Sequence, residues 1–270
     1  MLRVEKVFKT FNEGTPNEVP ALRDVSLGLE PGSFLVIIGT NGSGKSTLLN
    51  AVAGTFFVDA GTIAIGGRAI TRWPEHRRAR LIGRVFQNPF SGTAPNMSIG
   101  ENLALAARRG RPRGLGWALN RRLVGELRDR VRTLNMGLEN RLDTAIGSLS
   151  GGQRQALTLL MASWLKPLLL LLDEHTAALD PKSAEQVIRL THDVIQRDAL
   201  TTLMVTHSMQ QAVHLGDRIV MMHRGQIVHD LQGSEKARVR PEDLLGRFEH
   251  LRRREQLDAS VAEMLKQSYI

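Results

Sequence analysis

The sequence predicts an α/β fold: a mostly parallel sheet core with an antiparallel β part and a helical subdomain. Three observations carry that expectation. Residues 34–38 (FLVII) and 168–172 (LLLLL) are continuous apolar runs of strand length, the pattern of strands buried on both faces. Strand-like and helix-like segments alternate over most of the chain, which favours parallel pairing through crossovers. A glycine-rich stretch follows the first apolar run and precedes a helix-like segment, giving a strand–loop–helix unit.

In chain order, residues 19–29 (VPALRDVSLGL) alternate in part and suit an antiparallel strand. Pro31 and Gly32 mark a turn. After the 34–38 strand, residues 46–53 read as a helix, 61–67 as a short strand ending in a turn, and 81–87 (LIGRVFQ) as another apolar strand. The character then changes. Residues 98–109 and 121–134 read as helices separated by a loop, GRPRGLGW, so about 92–165 forms a helical insertion. Strands return at 168–172, 201–206 and 218–223, with a helix over 181–197 between the first two. From Pro241 the chain is helical, with Leu244, Leu245, Phe248 and Leu251 on one face. The expected organisation is one domain over 1–230, carrying the insertion, and a C-terminal helical tail over 231–270.

Composition narrows the function. No run of about 18 apolar residues is present, so no membrane span is expected. The opening segment MLRVEKVFKTF lacks the apolar core of a signal peptide, which places the chain in the cytoplasm. With no cysteine, disulfides and thiolate metal sites are excluded. The net charge of +9 suits nucleic acid, an anionic membrane surface or a polyphosphate ligand, and equally a plain solvated surface. Basic residues gather at Arg77, Arg78, Arg80 and Arg84, at Arg108, Arg109, Arg111 and Arg113, and at Arg252, Arg253 and Arg254. Aromatics, at 4%, are too sparse for a single-strand stacking platform, and no nucleic-acid partner is expected.

The sharpest motif is GTNGSGKST: Gly39, Thr40, Asn41, Gly42, Ser43, Gly44, Lys45, Ser46 and Thr47. Glycines let the backbone fold around an anion with several N–H groups pointing inward, and the following helix adds its positive end. Lys45 is placed to reach the β- and γ-phosphates, and Ser46 to ligate Mg²⁺. A second feature is the leucine run ending in Asp173 and Glu174. Ligands in open α/β sheets sit at the C-terminal ends of the strands. Asp173 is the expected Mg²⁺ holder. Glu174 is expected to diverge from it by strand alternation and to act on the attacking water. His175, next in the chain, reads as a structural or supporting residue in preference to an extra acid or base.

A second helix start built to meet an anion lies at LSGGQRQALTLLMA, with Ser150 as its N-cap. One nucleotide has no obvious need of two such sites from one chain.

Phosphate loop, LSGGQ and LLLLDE, in that order, resemble the ATP-binding subunit of bacterial ABC transporters, a P-loop NTPase fold, over nearly all of residues 1–230. The resemblance implies ATP and Mg²⁺ as ligands. It also implies a head-to-tail dimer in which Ser150, Gly151, Gly152 and Gln153 of one chain meet ATP bound by the other. By the same resemblance Gln87 (in VFQNP) is the glutamine that senses Mg²⁺ and water, and His207 (in LMVTHS) faces the γ-phosphate. Asp180 (in AALD) belongs to the dimer interface. Phe11 stacks on adenine in place of the usual tyrosine; Phe8 competes for that role and also reads as core. His175 departs from the proline usual after the glutamate. Lys45, Glu174, His207 and Gln87 are thus the expected catalytic set, and Ser46, Gln87 and Asp173 the metal set.

The implied partners are a second ATPase subunit (homodimer or heterodimer), integral membrane permease subunits and a substrate-binding protein. The implied location is peripheral, on the inner face of the cell membrane. The implied task is import of a small organic solute such as an amino acid. Two alternatives stand beside it: the ATPase of a lipoprotein- or macrolide-type exporter, and a soluble ABC ATPase of cofactor assembly. The chain carries neither the long heptads nor the cysteines of repair and chromosome ATPases.

Overall fold

A computed structural model describes residues 1–110 and 120–251. The chain opens with β1 (Leu2–Phe11), β2 (Val19–Leu29), β3 (Phe34–Gly39), α1 (Lys45–Ala53), β4 (Ala60–Ile65), β5 (Arg68–Ala69), the one-turn α2 (Glu75–Arg78) and β6 (Ile82–Val85). Helices α3 (Ile99–Ala107), α4 (Arg121–Arg132) and α5 (Gly151–Ser163) follow, with a 3₁₀ turn at Ile146–Ser148. Then come β7 (Leu169–Asp173), α6 (Pro181–Asp198), β8 (Thr202–Val205), α7 (Met209–Leu215), β9 (Arg218–His223), β10 (Gln226–Gln232) and α8 (Gly233–Arg238). A last helix covers 241–251.

Two sheets form. One is antiparallel, ordered β2-β1-β4-β5; the other is ordered β10-β9-β3-β8-β7-β6 and is parallel except for the β9–β10 hairpin. The apolar runs explain the central strands. In β3, Leu35 and Ile37 enter the core shared with the antiparallel sheet and α1, while Phe34, Val36 and Ile38 enter the core under α6, α7 and the last helix. Leucines 169 and 171 divide from 170 and 172 in the same way. A strand buried on both faces needs apolar residues at every position, which is why these runs do not alternate.

That parity also aims the end of β7. Asp173 follows Leu169 and Leu171 in period two, so it emerges on the face that carries α1. Helices α3, α4 and α5 build a third core, with Ile99, Leu103, Leu127, Val131, Leu138, Leu157 and Trp164. Ser98 closes a capping box with Glu101 at the start of α3.

Three sequence readings gain detail. The opening segment, to which the sequence reading gave no element, is the strand β1, whose Leu2, Val4 and Val7 are buried; a bulge with positive φ at Lys6 breaks their period. The tail does not begin as helix at 231, because Gln226–Gln232 pairs with β9 and buries Leu231. The basic cluster at 77–84 divides: Arg77 and Arg80 are exposed, while Arg78 and Arg84 turn inward. Arg78 is 1% exposed and donates to the carbonyls of Ala51, Val52, Thr71 and Trp73, closing the end of α1; burial lowers its pKa to about 10. Arg109 likewise turns inward and donates to the Ala162 carbonyl. Arg111 and Arg113, most of the GRPRGLGW loop, and Arg252, Arg253 and Arg254 lie outside the described residues.

Candidate nucleotide site

The phosphate loop leaves β3 and enters α1. Gly44 has φ 96° as the N-cap of α1, and a Cβ there would stand 2.5 Å from the Ala21 carbonyl oxygen. Both facts require glycine at the turn into the helix. Lys45 lies folded into the loop, its Nζ donating to the carbonyls of Gly39 (2.9 Å) and Thr40 (3.0 Å). Desolvation lowers the Lys45 pKa; Glu174 and Asp173 pull it back toward the charged form. The Ser43 hydroxyl is buried without a partner among the described residues. The loop therefore offers an inward donor, a helix start and an orphaned hydroxyl.

Asp173, Glu174 and His207 converge at the C-terminal ends of β7 and β8. Burial raises the Asp173 pKa, and Arg84 and Lys45 oppose the rise. The Glu174 side chain is 10% exposed, and its Oε1 lies 2.6 Å from His207 Nε2. The divergence of the two acids has a different cause from the expected one. Strand β7 ends at Asp173, and Glu174 takes φ 44° while its N–H still bonds to the Val205 carbonyl. A left-handed residue, and not strand alternation, turns the chain here; for a non-glycine residue that conformation is uncommon and strained. The His207 loop is tied back to this turn by Gln211, which accepts from Thr206 and donates to Thr176.

His175 points away from Glu174 into the protein. It is 1% exposed, and its Nε2 pairs with Thr191 Oγ1 at 3.0 Å on α6. Burial lowers its pKa from 6.5 to about 4. A histidine kept neutral by burial binds its proton more weakly folded than unfolded. Stability is therefore complete above about pH 6.5 and is lost as pH falls toward 4, by about 3 kcal/mol. Urea unfolding of the wild type should show that loss, and His175→Gln should flatten it. Equal slopes in both proteins would refute the assignment.

The second helix start has the predicted cap. Ser150 Oγ accepts from the Gln153 N–H and the Gln153 side chain returns to the Ser150 N–H. Ser150 and Gly151 are exposed, and a Cβ on Gly152 would strike Ser183 of α6. Asp180, placed by resemblance at a dimer interface, also caps α6 by accepting from the Ser183 N–H at 3.0 Å. Gln87 is exposed just beyond β6. Phe11, at the end of β1, meets Phe56 edge-on with centroids 5.2 Å apart. Phe8 is 40% exposed, which excludes a core role for it.

Several residues here carried no sequence signal. Arg154 caps the carbonyls of Ile146, Gly147 and Leu149 just ahead of Ser150 and stacks its guanidinium 3.7 Å from the Phe90 ring centre. Gln155, fully buried, donates to the Phe86 carbonyl. Together they bind the start of α5 to the 86–90 segment that carries Gln87. Arg84 on β6 reaches Asp173 and Asn50. An arginine or glutamine inside a long motif looks like ordinary helix or strand filling until its acceptors are seen.

Comparison with known proteins finds relatives in sequence and in fold. Residues 22–177 match the family model described as "ABC transporter". The chain is 41% identical over 252 residues to a tyrosine transport ATP-binding protein of Clostridioides difficile, covering 93% of this chain and 99% of that one. It is 33% identical to the energy-coupling factor transporter ATP-binding protein EcfA1 of Enterococcus faecalis, over 82% of this chain and 75% of that one. Among solved structures, the dimeric post-hydrolysis state of the ATP-binding cassette MJ0796 bound to ADP and Pi superposes with a TM-score of 0.73 at 26% identity. It covers 86% of this chain and 98% of that one.

Proposed function

The chain belongs to the ABC transporter family, as an ATP-binding, ATP-hydrolysing subunit, and from that premise we propose that it powers import of a small organic solute, such as an amino acid, through separate membrane permease subunits. The observation that carries the mechanism is the meeting of Lys45, Asp173, Glu174 and His207 beside one loop, while the second anion-type helix start, Ser150, faces outward.

In this reading Gly39–Thr47 wraps the phosphates, and Lys45 exchanges the Gly39 and Thr40 carbonyls for β- and γ-phosphate oxygens. The orphaned Ser43 hydroxyl fits an anion in the loop. Phe11 stacks on adenine, beside Phe56. Ser46, Asp173 and Gln87 offer the hard oxygen donors that suit Mg²⁺. Among the described residues no three Asp, Glu, His or Cys side chains are arranged to hold a metal ion by themselves, so the metal set proposed here mixes one carboxylate with a hydroxyl and an amide oxygen. When bound, Mg²⁺ would neutralise phosphate charge. Glu174 orients and deprotonates the attacking water, and His207, already hydrogen-bonded to Glu174, holds the γ-phosphate side of that pair. Ser150, Gly151, Gly152 and Gln153 close the site from a second subunit, with Asp180 at the same interface. A lone chain is then catalytically incomplete.

No helix among the described residues is long and apolar enough to span a bilayer, and this reading takes the membrane partners as separate subunits. A cleft of about 380 Å³ between β6 and the α3–α5 core, lined by Phe86, Leu105, Arg109 and Met161, fits a permease segment. Leu105 is 57% exposed there. Leu105→Asp should leave ATP binding intact and remove the permease and substrate-binding protein captured from detergent-solubilised membranes. Capture of neither by the wild type would sink the importer reading. The tyrosine transport relative supports an amino acid as the solute.

A further inference from the structure

We propose that Arg84 is a built-in rival of the metal for Asp173, so that it sets how much Mg²⁺ the nucleotide site requires. Arg84 lies in β6, paired with Leu171 of β7, and its side chain is 14% exposed. Its Nη2 donates to Asn50 Oδ1 at 2.5 Å and lies 3.5 Å from Asp173 Oδ2. Its Nη1 meets Thr55 Oγ1 at 3.3 Å, and the guanidinium carbon stands 4.5 Å from the Phe86 ring centre.

These distances rank the anchors. Asn50 and Thr55, at the end of α1, and the Phe86 face fix the guanidinium; Asp173, at 3.5 Å, is the loosest of its polar partners. The charge therefore stays in place whether or not Asp173 turns toward a metal. The planar guanidinium, shared among Asn50, Thr55 and Asp173, keeps its positive charge at this position when a divalent cation arrives. A fixed cation beside the metal's carboxylate repels that metal, and with the Arg84 side chain 14% exposed and that of Asp173 15% exposed, solvent screens the effect only in part. Arg84 acts through Asp173; it is a positioning residue. The consequence is a site that holds Asp173 neutralised when metal-free and accepts Mg²⁺ only when phosphate charge outweighs Arg84.

The inference rests on the reading of Asp173 as the metal carboxylate, and the test separates the two. Mn²⁺ is titrated into the ADP-loaded full chain and free Mn²⁺ is read by electron paramagnetic resonance. Arg84→Gln, which keeps a donor for Asn50 without the charge, should bind Mn²⁺ about tenfold more tightly than wild type. Arg84→Lys, which keeps the charge, should stay near wild type. Unchanged or weaker Mn²⁺ affinity in Arg84→Gln, or equal tightening in Arg84→Lys, would overturn the proposal. Asp173→Asn should weaken Mn²⁺ binding; if it does not, the metal assignment itself fails. Thermal melts without nucleotide or metal confirm that each variant is folded, a property that a purely structural arginine would lose without any gain in metal affinity.

Discussion

Glu174→Gln is expected to lower ATP turnover by about a hundred- to ten-thousandfold, the range for loss of a positioned general base, while the protein still binds ATP. The amide is nearly isosteric with the carboxylate, and its Oε1 can keep the hydrogen bond with His207 at the same position. What it loses is the capacity to take a proton from water. With hydrolysis blocked and binding intact, Mg-ATP should hold the variant as a dimer, read by size-exclusion chromatography with light scattering. His175→Ala, by contrast, removes a side chain bonded to Thr191 on the far side of the turn; its turnover should stay within a few-fold of wild type. A histidine variant as inactive as the glutamate variant would reverse the ranking of the two residues.

Lys45→Ala is the second large effect. Lys45 is 5% exposed and its amine is bonded to two loop carbonyls, so it is already positioned inside the loop before a phosphate enters. Each charge-assisted hydrogen bond lost to phosphate costs about 1.5–3 kcal/mol. ATP affinity should fall by at least about tenfold for one lost bond and further for two. Calorimetric titration measures this directly. An alanine variant binding ATP as wild type does would remove the phosphate loop from the site.

Much of this was legible in the sequence because the strongest signals coincide with the strongest constraints. The apolar runs in β3 and β7 cannot be exposed on either face, so their composition reported their place in the sheet. The phosphate loop announced itself by glycines that only a tight anion-binding turn requires. The β1 strand was less legible because its buried positions shift at Lys6, spoiling the period. The geometry of Glu174 was hidden for a related reason. Nothing in DEHT marks a left-handed residue, and simple alternation gave the right divergence for the wrong cause. Arg78, Arg84 and Arg154 were invisible as anchors because charge predicts a solvated surface, and only acceptor carbonyls or a partner carboxylate 89 residues away show otherwise.

The most direct test of the shared site is a mixing experiment. Lys45→Ala spoils the phosphate loop but leaves Ser150 intact; Ser150→Arg spoils the second helix start but leaves Lys45 intact. Each variant alone should hydrolyse ATP at background rate. If each nucleotide lies between two chains, an equimolar mixture contains dimers with one intact composite site. Turnover should then return to about a quarter of wild type for random pairing. A mixture that stays at background, or Ser150→Arg alone turning over ATP like the wild type, would contradict a site built from two chains.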